Sequence, residues 1–422
     1  VQGLSQTWST DESLTVLNLA ANNIGAMGAA AVGMALRASF SITSVDCSRN
    51  TALGDEGAKL LAPALRTDGT GTSTIRDLNL IRCGVGDEGA TALATSLLGN
   101  SVLDKLKLSG NRIGDAGAIA LMNSLVGLSK GFLTELWLSS NRIGPAGAER
   151  MATVLSDSPS VRELHLSGNS LGDVGVAALV KGAVAGRRLR GLYVGGCGVG
   201  DPGAKEIANA LQSSLHLETL CLGHGFIGDN GASALARSLA DNRALRRLLL
   251  PGNLLRAAGG KAIAGMLISN HALFHLDVSD NLLGGAGIEA IASAVAKNTN
   301  LLEVNLSGCG GTDSSFRAMA RAVEANVTLG SLLCAGNHLG VDTLAEIEYS
   351  MGRAKRPVRE LVQLTIDLGD YIRQGKNQEQ STSDRNPSQG AGPSVTLAPG
   401  QQTTIQIAFG RRDNIIGSIL AS

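Results

Sequence analysis

Aromatic side chains are scarce in this chain of 422 residues. Phenylalanine, tryptophan and tyrosine together make up 3% of it, whereas 44% of the residues are hydrophobic. The core must therefore be built from leucine, alanine and valine. A net charge is also lacking, because 36 basic residues balance 36 acidic ones. Nothing in this balance attracts nucleic acid or an anionic membrane surface, and we expect no nucleic-acid partner.

Long hydrophobic runs and proline are lacking as well. No run of about 18 apolar residues occurs, which predicts that no segment spans a membrane. Only 9 prolines accompany 55 glycines, a ratio that excludes a collagen-like or generally disordered chain and indicates glycine at fixed turns. The first residues, VQGLSQTWSTD, have neither the regions of a signal peptide nor an initiator methionine, which fits a processed or truncated product that has lost any targeting peptide.

What the sequence has in abundance is one repeated pattern, LxxLxLxxNxLG, which covers residues 14–355 in twelve copies. From Leu133 onward each step is 28 residues, and two earlier steps are longer, with extra residues around 67–73 and 127–131. Position 1 of the pattern falls on Leu14, Ile42, Ile75, Leu103, Leu133, Val161, Leu189, Leu217, Leu245, Leu273, Leu301 and Leu329.

Each repeat predicts a short strand, a turn and a helix. The leucines at positions 4 and 6 alternate as the buried face of a strand does. The asparagine at position 9 is predicted to bond backbone groups where the strand turns away. A G-D-x-G-A motif follows, in which the aspartate is predicted to be the N-cap of a helix such as 117–125. One such unit cannot bury its own apolar face, so the repeats must stack as a solenoid.

The repeat resembles the leucine-rich repeats of the ribonuclease-inhibitor-like class, which have 28 residues. This resemblance implies an α/β fold: a right-handed solenoid curved like a horseshoe, with parallel strands inside, helices outside and about twelve repeats. It further implies that the chain binds other proteins through its concave face or rims. It implies no catalytic activity, no cofactor and no small-molecule substrate.

The two ends depart from the repeat and are predicted to be caps. Residues 1–13, which include Trp8, are expected to cover the first repeat, and residues 356–422 to form a small β-rich cap on the last one. Within the C-terminal cap, 361–369 matches a thirteenth strand. The polar segment 375–394 is predicted to be a flexible loop, and 395–410 a β-hairpin that turns at Pro399 and Gly400.

Motifs that would carry chemistry are explained by the repeat instead. Three GxGxxG matches, which begin at Gly84, Gly198 and Gly223, arise from the repeat's own glycines together with chance ones, and no P-loop is present. Three of the six cysteines replace the position-9 asparagine, and no metal-binding spacing occurs. This usage predicts a reducing intracellular compartment, cytoplasmic or ciliary, although an organelle matrix fits equally well.

The repeat phase predicts which side chains line the concave face: those at positions 3, 5, 7 and 8. At position 5, Trp137, His165 and Tyr193 occupy three consecutive strands, about 4.8 Å apart. Gly195 and Gly196 are expected to leave space beside the tyrosine. The predicted protein-binding residues are these three together with Lys107, Glu135, Glu163, Arg112 and Arg142.

An aromatic centre with a charged rim is typical of a protein-binding hot spot. The alternative is that the tryptophan and the tyrosine simply favour strands and pack on one another.

Three functions remain open on the sequence alone. The first is a non-catalytic scaffold, in its sharper form a structural subunit of a large multiprotein assembly such as a ciliary axoneme or an organellar complex. Such a scaffold would bind its partners by the concave face and the C-terminal tail. The second is a regulatory module like those of leucine-rich immune sensors, and the third is a Ran-type GTPase activator. Fold alone does not decide among them.

Overall fold

A computed structural model of the chain describes residues 13–67, 73–126, 133–157, 160–353, 362–367 and 404–409. In this part of the chain twelve short strands alternate with twelve α-helices, as the repeat predicts, and two further strands follow. The chain divides into two compact units, Val1–Asn253 and Leu254–Ser422. No helix within the described ranges is long and apolar enough to cross a membrane.

The first unit holds nine parallel strands in sequential order. They are β1 Val16–Asn18, β2 Ser44–Asp46, β3 Asp77–Asn79, β4 Lys105–Lys107, β5 Glu135–Trp137, β6 Glu163–His165, β7 Gly191–Tyr193, β8 Thr219–Cys221 and β9 Arg247–Leu249. The helices that follow the first eight strands are α1 Ala26–Ala38, α2 Gly54–Leu61, α3 Asp87–Leu97, α4 Asp115–Asn123, α5 Pro145–Ser156, α6 Gly172–Gly186, α7 Asp201–Leu211 and α8 Asp229–Leu239. A short 3-10 helix, Ala62–Leu65, continues α2.

The second unit continues the same alternation. Its helices are α9 Ala257–Ser269, α10 Gly284–Val295, α11 Asp313–Ala325 and α12 Val341–Arg353, and its parallel strands are β10 His275–Asp277, β11 Glu303–Asn305 and β12 Ser331–Leu333. The predicted thirteenth strand is present as β13, Val362–Asp367, which lies parallel to β12.

The strand predicted in the tail is present as β14, Thr404–Phe409. It pairs antiparallel with β13. The partner of this strand among the described residues is therefore β13. The predicted turn at Pro399 and Gly400, the predicted N-terminal cap and the 375–394 loop lie outside the described residues, and the two caps remain predictions.

The core is formed by the leucines that alternation places on one side of each strand. In β5 and its flanks, Leu136 and Leu138 are fully buried, and Leu164 and Leu166 occupy the same positions in the next repeat. Each strand has three residues, so its position 4 points inward and its positions 3 and 5 point away from the helices. We call the surface formed by positions 3 and 5 in the first unit the open face.

The predicted asparagine ladder is confirmed. The amide of Asn111 accepts hydrogen bonds from the backbone N–H groups of Cys83 and Val85, at 2.9 and 3.0 Å, in the preceding repeat. It donates to the carbonyl oxygens of Leu80 and Leu108, both at 2.8 Å. One side chain thus satisfies four buried backbone groups and joins two repeats.

Cysteine at position 9 forms a weaker version of this contact. The thiols of Cys83, Cys197 and Cys309 each donate to a carbonyl of the preceding repeat, at 3.0 to 3.3 Å. Burial raises the pKa of Cys83 and of Cys197 to about 11 and that of Cys309 to about 12. These thiols are therefore protonated at neutral pH, and their place in the ladder accounts for them.

The prediction that each G-D-x-G-A aspartate caps its own helix is wrong. The N-cap of α3 is Gly86, which makes no side-chain cap, and Asp87 is the first residue of the helix. The aspartate of the preceding repeat, Asp55, accepts from the N–H groups of Gly86 and Gly89 at 2.7 and 2.8 Å. A carboxylate thus stabilises the positive N-terminus of the next helix rather than that of its own.

The same inter-repeat cap recurs and explains the glycines of the motif. Asp87 accepts from Gly114 and Gly117, and Asp201 from Gly228 and Gly231. A β-carbon on Gly117 would lie 2.7 Å from the Asp87 carboxylate, so glycine is needed there for space.

Candidate functional site

Three neighbouring strands of the first unit bring the predicted ring side chains together. The parallel register pairs Trp137 of β5 with His165 of β6, and His165 with Tyr193 of β7. All three are half-buried on the open face, because the leucines on either side of each face the core. We call Trp137, His165 and Tyr193 the aromatic row.

The rings of the aromatic row are stacked. The ring centroids of Trp137 and His165 are 4.1 Å apart with an interplanar angle of 24°, and those of His165 and Tyr193 are 4.1 Å apart with an angle of 4°. In-register parallel strands place equivalent side chains one strand spacing apart in the same orientation, which favours stacking over edge-to-face contact. Each such pair contributes about 0.5–1.5 kcal/mol beyond the burial of its area.

The space that Tyr193 occupies comes from Gly191, in the same strand. A β-carbon on Gly191 would lie 3.1 Å from the tyrosine ring and 3.5 Å from the Glu163 side chain. The expectation that Gly195 and Gly196 leave this space is wrong, because the nearest neighbours of Gly195 are Gly223 and the Cys221 thiol. Burial, followed by the nearby Glu163 carboxylate, raises the pKa of Tyr193, so the phenol stays protonated.

Ion pairs surround the tryptophan end of the row. The ammonium of Lys105 lies 2.6 Å from one carboxylate oxygen of Glu135, and the Trp137 indole N–H lies 3.3 Å from the other. Burial acts to raise the pKa of Glu135, but the Lys105 ammonium and the indole N–H outweigh it and hold that pKa below its usual value.

Lys107 was predicted at this site, and it does lie next to Trp137 in the register. Its ammonium, however, bonds Asp77 on the preceding strand at 2.8 Å. Sequence reasoning missed Lys105, although the repeat phase placed it opposite Glu135, where opposite charges attract.

His165 is held between the two larger rings with 14% of its side chain exposed. Its Nε2 is buried without a hydrogen-bond partner and lies 3.5 Å from a Glu163 oxygen, too far for a good bond. Burial lowers the pKa of His165, and the neighbouring Glu163 only partly opposes this effect. The imidazole is therefore neutral at pH 7.

We expect acidification to destabilise the protein partly through His165. The native state binds fewer protons there than the unfolded state does, so stability falls as the pH drops below the unfolded pKa of about 6.5. The slope from one proton is at most about 1.4 kcal/mol per pH unit.

Urea unfolding of the wild type and of His165→Phe from pH 7.5 downward measures this slope, because phenylalanine keeps a stacked ring without titrating. The exposed His338, changed to phenylalanine, is the control for replacing a histidine. Equal pH slopes for the wild type and His165→Phe would contradict the expectation.

The two predicted arginines lie in the turns beyond the strands of the aromatic row and of its neighbour. Arg112 and Arg142 are both exposed, and each directly follows a position-9 asparagine in the turn after its strand. The Arg112 guanidinium lies beside Gly84 of the preceding repeat. No contact between either arginine and the aromatic row is found in the described ranges, and their part in binding stays a prediction.

A depression lies among the helices of the first unit, which cover the side of the sheet away from the open face. It has a volume of about 400 Å³. It is lined by the apolar residues Val174, Ala177 and Pro202, by Glu149, and by the ion pair of Lys181 with Glu206 at 2.8 Å. Among the described residues, no group of three or more histidine, cysteine, aspartate or glutamate side chains could hold a metal ion.

Comparison with known structures gives several repeat proteins of low similarity. The actin-binding site 2 of leiomodin-1 is 23% identical, with a TM-score of 0.26, over 36% of this chain and 80% of that one. Rad7, in the Rad7–Elc1 complex of yeast, is 13% identical, with a TM-score of 0.45, over 84% and 77%. An internalin of Listeria monocytogenes is 16% identical, with a TM-score of 0.44, over 79% and 94%. No curated protein sequence matches the chain.

The family comparison agrees with the repeat geometry. A leucine-rich repeat model matches nine segments, at 10–33, 38–62, 73–94, 99–122, 132–152, 157–180, 189–208, 213–236 and 269–292. Their spacing follows the strand–turn–helix units described above. The chain therefore belongs to the leucine-rich repeat proteins, whose repeats are a scaffold for binding other proteins.

Proposed function

We propose that this chain is a non-catalytic scaffold that holds a partner protein on its open face, with the aromatic row as the anchor. The observation that carries the proposal is the stack of Trp137, His165 and Tyr193, half-exposed on a sheet surface in a chain with 3% aromatic residues. Aromatic anchors ringed by polar groups are the residues that dominate binding energy at protein interfaces.

The surroundings of the row favour a macromolecular partner. Beyond the rings, the chain at positions 7 and 8 carries small residues, such as Ser139, Ser167, Gly195 and Gly223, which let a partner approach closely. Paired charges lie at the edge, where Lys105 meets Glu135 and Lys107 meets Asp77. An apolar centre with a polar rim is the usual composition of such an interface.

The groups in and near the row are poorly suited to covalent chemistry. The Nε2 atom of its imidazole is buried, whereas a general base must lie within bonding reach of its proton source. The buried thiols have raised pKa values and are poor nucleophiles as a result. These properties support binding rather than catalysis.

The proposal extends to a place in a large multiprotein assembly inside the cell, such as a ciliary axoneme or an organellar complex. All six cysteines are free thiols, which is typical of a reducing compartment. The first repeat also exposes large apolar side chains, Met27, Met34 and Phe40, each by more than 60%. These give the chain a second surface on which an assembly could build, and the C-terminal tail is proposed as a third.

Affinity capture with amine-reactive cross-linking tests which face holds the partner. Lys105 and Lys107 lie on the open face, whereas Lys181 and Lys205 lie on the helices. We expect the partner's cross-links to come mainly from Lys105 and Lys107. Cross-links that come mainly from Lys181 and Lys205 would instead assign binding to the helix side.

Replacing each pair of lysines by arginine gives matched controls, since arginine keeps the charge without reacting.

We also expect the purified chain to leave nucleotide hydrolysis by Ran-type GTPases unchanged. Acceleration of that hydrolysis would replace the scaffold by a GTPase activator.

A further inference from the structure

The charged side chains on β3 to β6 do not balance. Three carboxylates, Asp77, Glu135 and Glu163, stand among two ammonium groups on β3 to β6. Lys107 pairs with Asp77 at 2.8 Å, and Lys105 pairs with Glu135 at 2.6 Å. This leaves Glu163 as the carboxylate in excess, directly beside the rings.

Glu163 has no basic partner among the described residues. His165 lies 3.5 Å from one Glu163 oxygen, too far for a good hydrogen bond, and its imidazole is neutral. Arg190, which precedes β7, pairs with Glu218 at 3.0 Å instead. Arg162, adjacent to Glu163 in sequence, is exposed and lies within ion-pair distance of no carboxylate in the described ranges.

On the β7 side, the neighbour of Glu163 is the Tyr193 ring. Gly191 lies opposite Glu163 in the register, and it lacks a side chain. The Tyr193 ring leans over this glycine, so that a carboxylate with 42% of its side chain exposed borders the ring. A partly desolvated carboxylate beside an aromatic ring attracts a cation more strongly than an exposed carboxylate does.

We propose that Glu163 and the Tyr193 ring form an acceptor for an arginine side chain of the partner protein. This inference rests on the proposed function and names the chemistry that the open face recognises. The guanidinium bonds the Glu163 carboxylate while its plane lies against the tyrosine ring. The partner thereby neutralises a carboxylate that has no lysine or arginine partner in the described ranges.

Arginine suits this acceptor better than lysine for three physical reasons. Its planar guanidinium presents two parallel N–H groups to one carboxylate, it stacks on aromatic rings, and it loses less hydration than an ammonium group. Arg247, two strands from Gly191 in the register, is the basic group that opposes it. Its charge acts on the Tyr193 phenol, where it lowers the pKa against the effect of burial, so an arriving guanidinium meets a repulsion that salt weakens.

Selection from a displayed library of random short peptides, followed by a double-mutant cycle, tests the proposal. Peptides are selected on the immobilised full chain. Those that also bind the immobilised Trp137→Ala variant are discarded, because they bind elsewhere on the chain. A chosen peptide is then synthesised with arginine or with its neutral analogue citrulline. Affinity for the wild type and for Glu163→Gln is measured by calorimetry.

We expect arginine to be enriched at one position of the selected peptides. Citrulline should weaken binding to the wild type about tenfold, as for the loss of one charged hydrogen bond, and to Glu163→Gln less than about twofold. Glu149→Gln, a change of the same kind on α5, should retain the tenfold effect.

Two outcomes separate this inference from the proposed function. Peptides that require Trp137 but bind equally well with citrulline, or whose citrulline effect survives in Glu163→Gln, would overturn the arginine acceptor and leave the scaffold standing. A selection that yields no Trp137-dependent peptide would contradict both.

Discussion

Replacing Asn111 by alanine is expected to lower the free energy of unfolding by about 3 kcal/mol. Asn111 is buried, with 7% of the residue exposed. Alanine would leave the N–H groups of Cys83 and Val85 and the carbonyls of Leu80 and Leu108 without this partner. An unsatisfied buried group costs about 1–3 kcal/mol, and local relaxation recovers part of the total.

Two variants of the same ladder calibrate the effect. Asn22 is exposed in the first repeat, and its side chain donates to one carbonyl, that of Ala20. Asn22→Ala should therefore cost less than about 0.5 kcal/mol, as most surface changes do. Asn111→Cys should fall between the two alanine variants, because the natural Cys83 still donates to one carbonyl of the repeat before it.

Urea unfolding, followed by far-ultraviolet circular dichroism, measures these differences from the midpoint at constant slope. A loss in Asn111→Ala no larger than that in Asn22→Ala would contradict the role of the ladder in joining repeats.

The repeat phase made the strand register predictable. Positions 4 and 6 had to be buried in every copy, and a parallel sheet of equivalent strands pairs equivalent positions. The repeat phase therefore predicts Trp137 on the same surface as His165 and Tyr193, and the register confirms it. The position-9 asparagines were predictable for the same reason, since each must meet the same backbone groups.

Interactions between repeats were harder to predict. Aspartate is a common N-cap residue, but the aspartate of G-D-x-G-A accepts hydrogen bonds from the helix N-terminus of the following repeat. A pattern within one repeat does not tell whether a side chain reaches its own backbone or that of its neighbour. The paired glycines of the motif were the available signal, since they leave room for a carboxylate.

A second asparagine ladder was missed altogether. Asn242, Asn270, Asn298 and Asn326 recur every 28 residues, three residues before position 1. The amide of Asn298, for example, donates to Leu267 and accepts from the N–H of Leu301, both at 2.7 Å. It lies in the loop before the strand, outside the LxxLxLxxN pattern, and the same 28-residue period would have revealed it.

The details of the aromatic row could not be obtained from the sequence. The ring planes, the pairing of Lys107 with Asp77 and the position of the Tyr193 ring over Gly191 depend on side-chain rotamers and on competition among nearby charges. Strand spacing limits these side chains to neighbouring positions without choosing among the possible pairs. Glu163 was predicted to flank the rings, but its lack of a basic partner became visible only in three dimensions.

Removing two rings of the aromatic row should weaken partner binding more than any other change considered. Each anchor contributes about 2 kcal/mol, or roughly thirtyfold in affinity. Because Trp137 and Tyr193 both contact His165, their effects should not add fully. We therefore expect the double variant Trp137→Ala, Tyr193→Ala to bind at least about a hundredfold more weakly.

The fold should survive this change, because both side chains lie on the open face and the leucines beneath them remain. Circular dichroism should be unchanged, and the urea midpoint should fall only slightly with the loss of the stacking. The control is Phe226→Ala, which removes an aromatic ring that is 66% exposed in the turn after β8. Its affinity for the partner should stay within about twofold of the wild type, as for surface changes outside a hot spot.

The most direct test of the binding role of the aromatic row is a dissociation constant measured by calorimetry. It is measured for the partner that the cross-linking identifies, with the wild type, the double variant and Phe226→Ala. The scaffold model predicts a loss of about a hundredfold or more in the double variant alone. An unchanged dissociation constant in a folded double variant would contradict it and would show that the partner binds elsewhere on the chain.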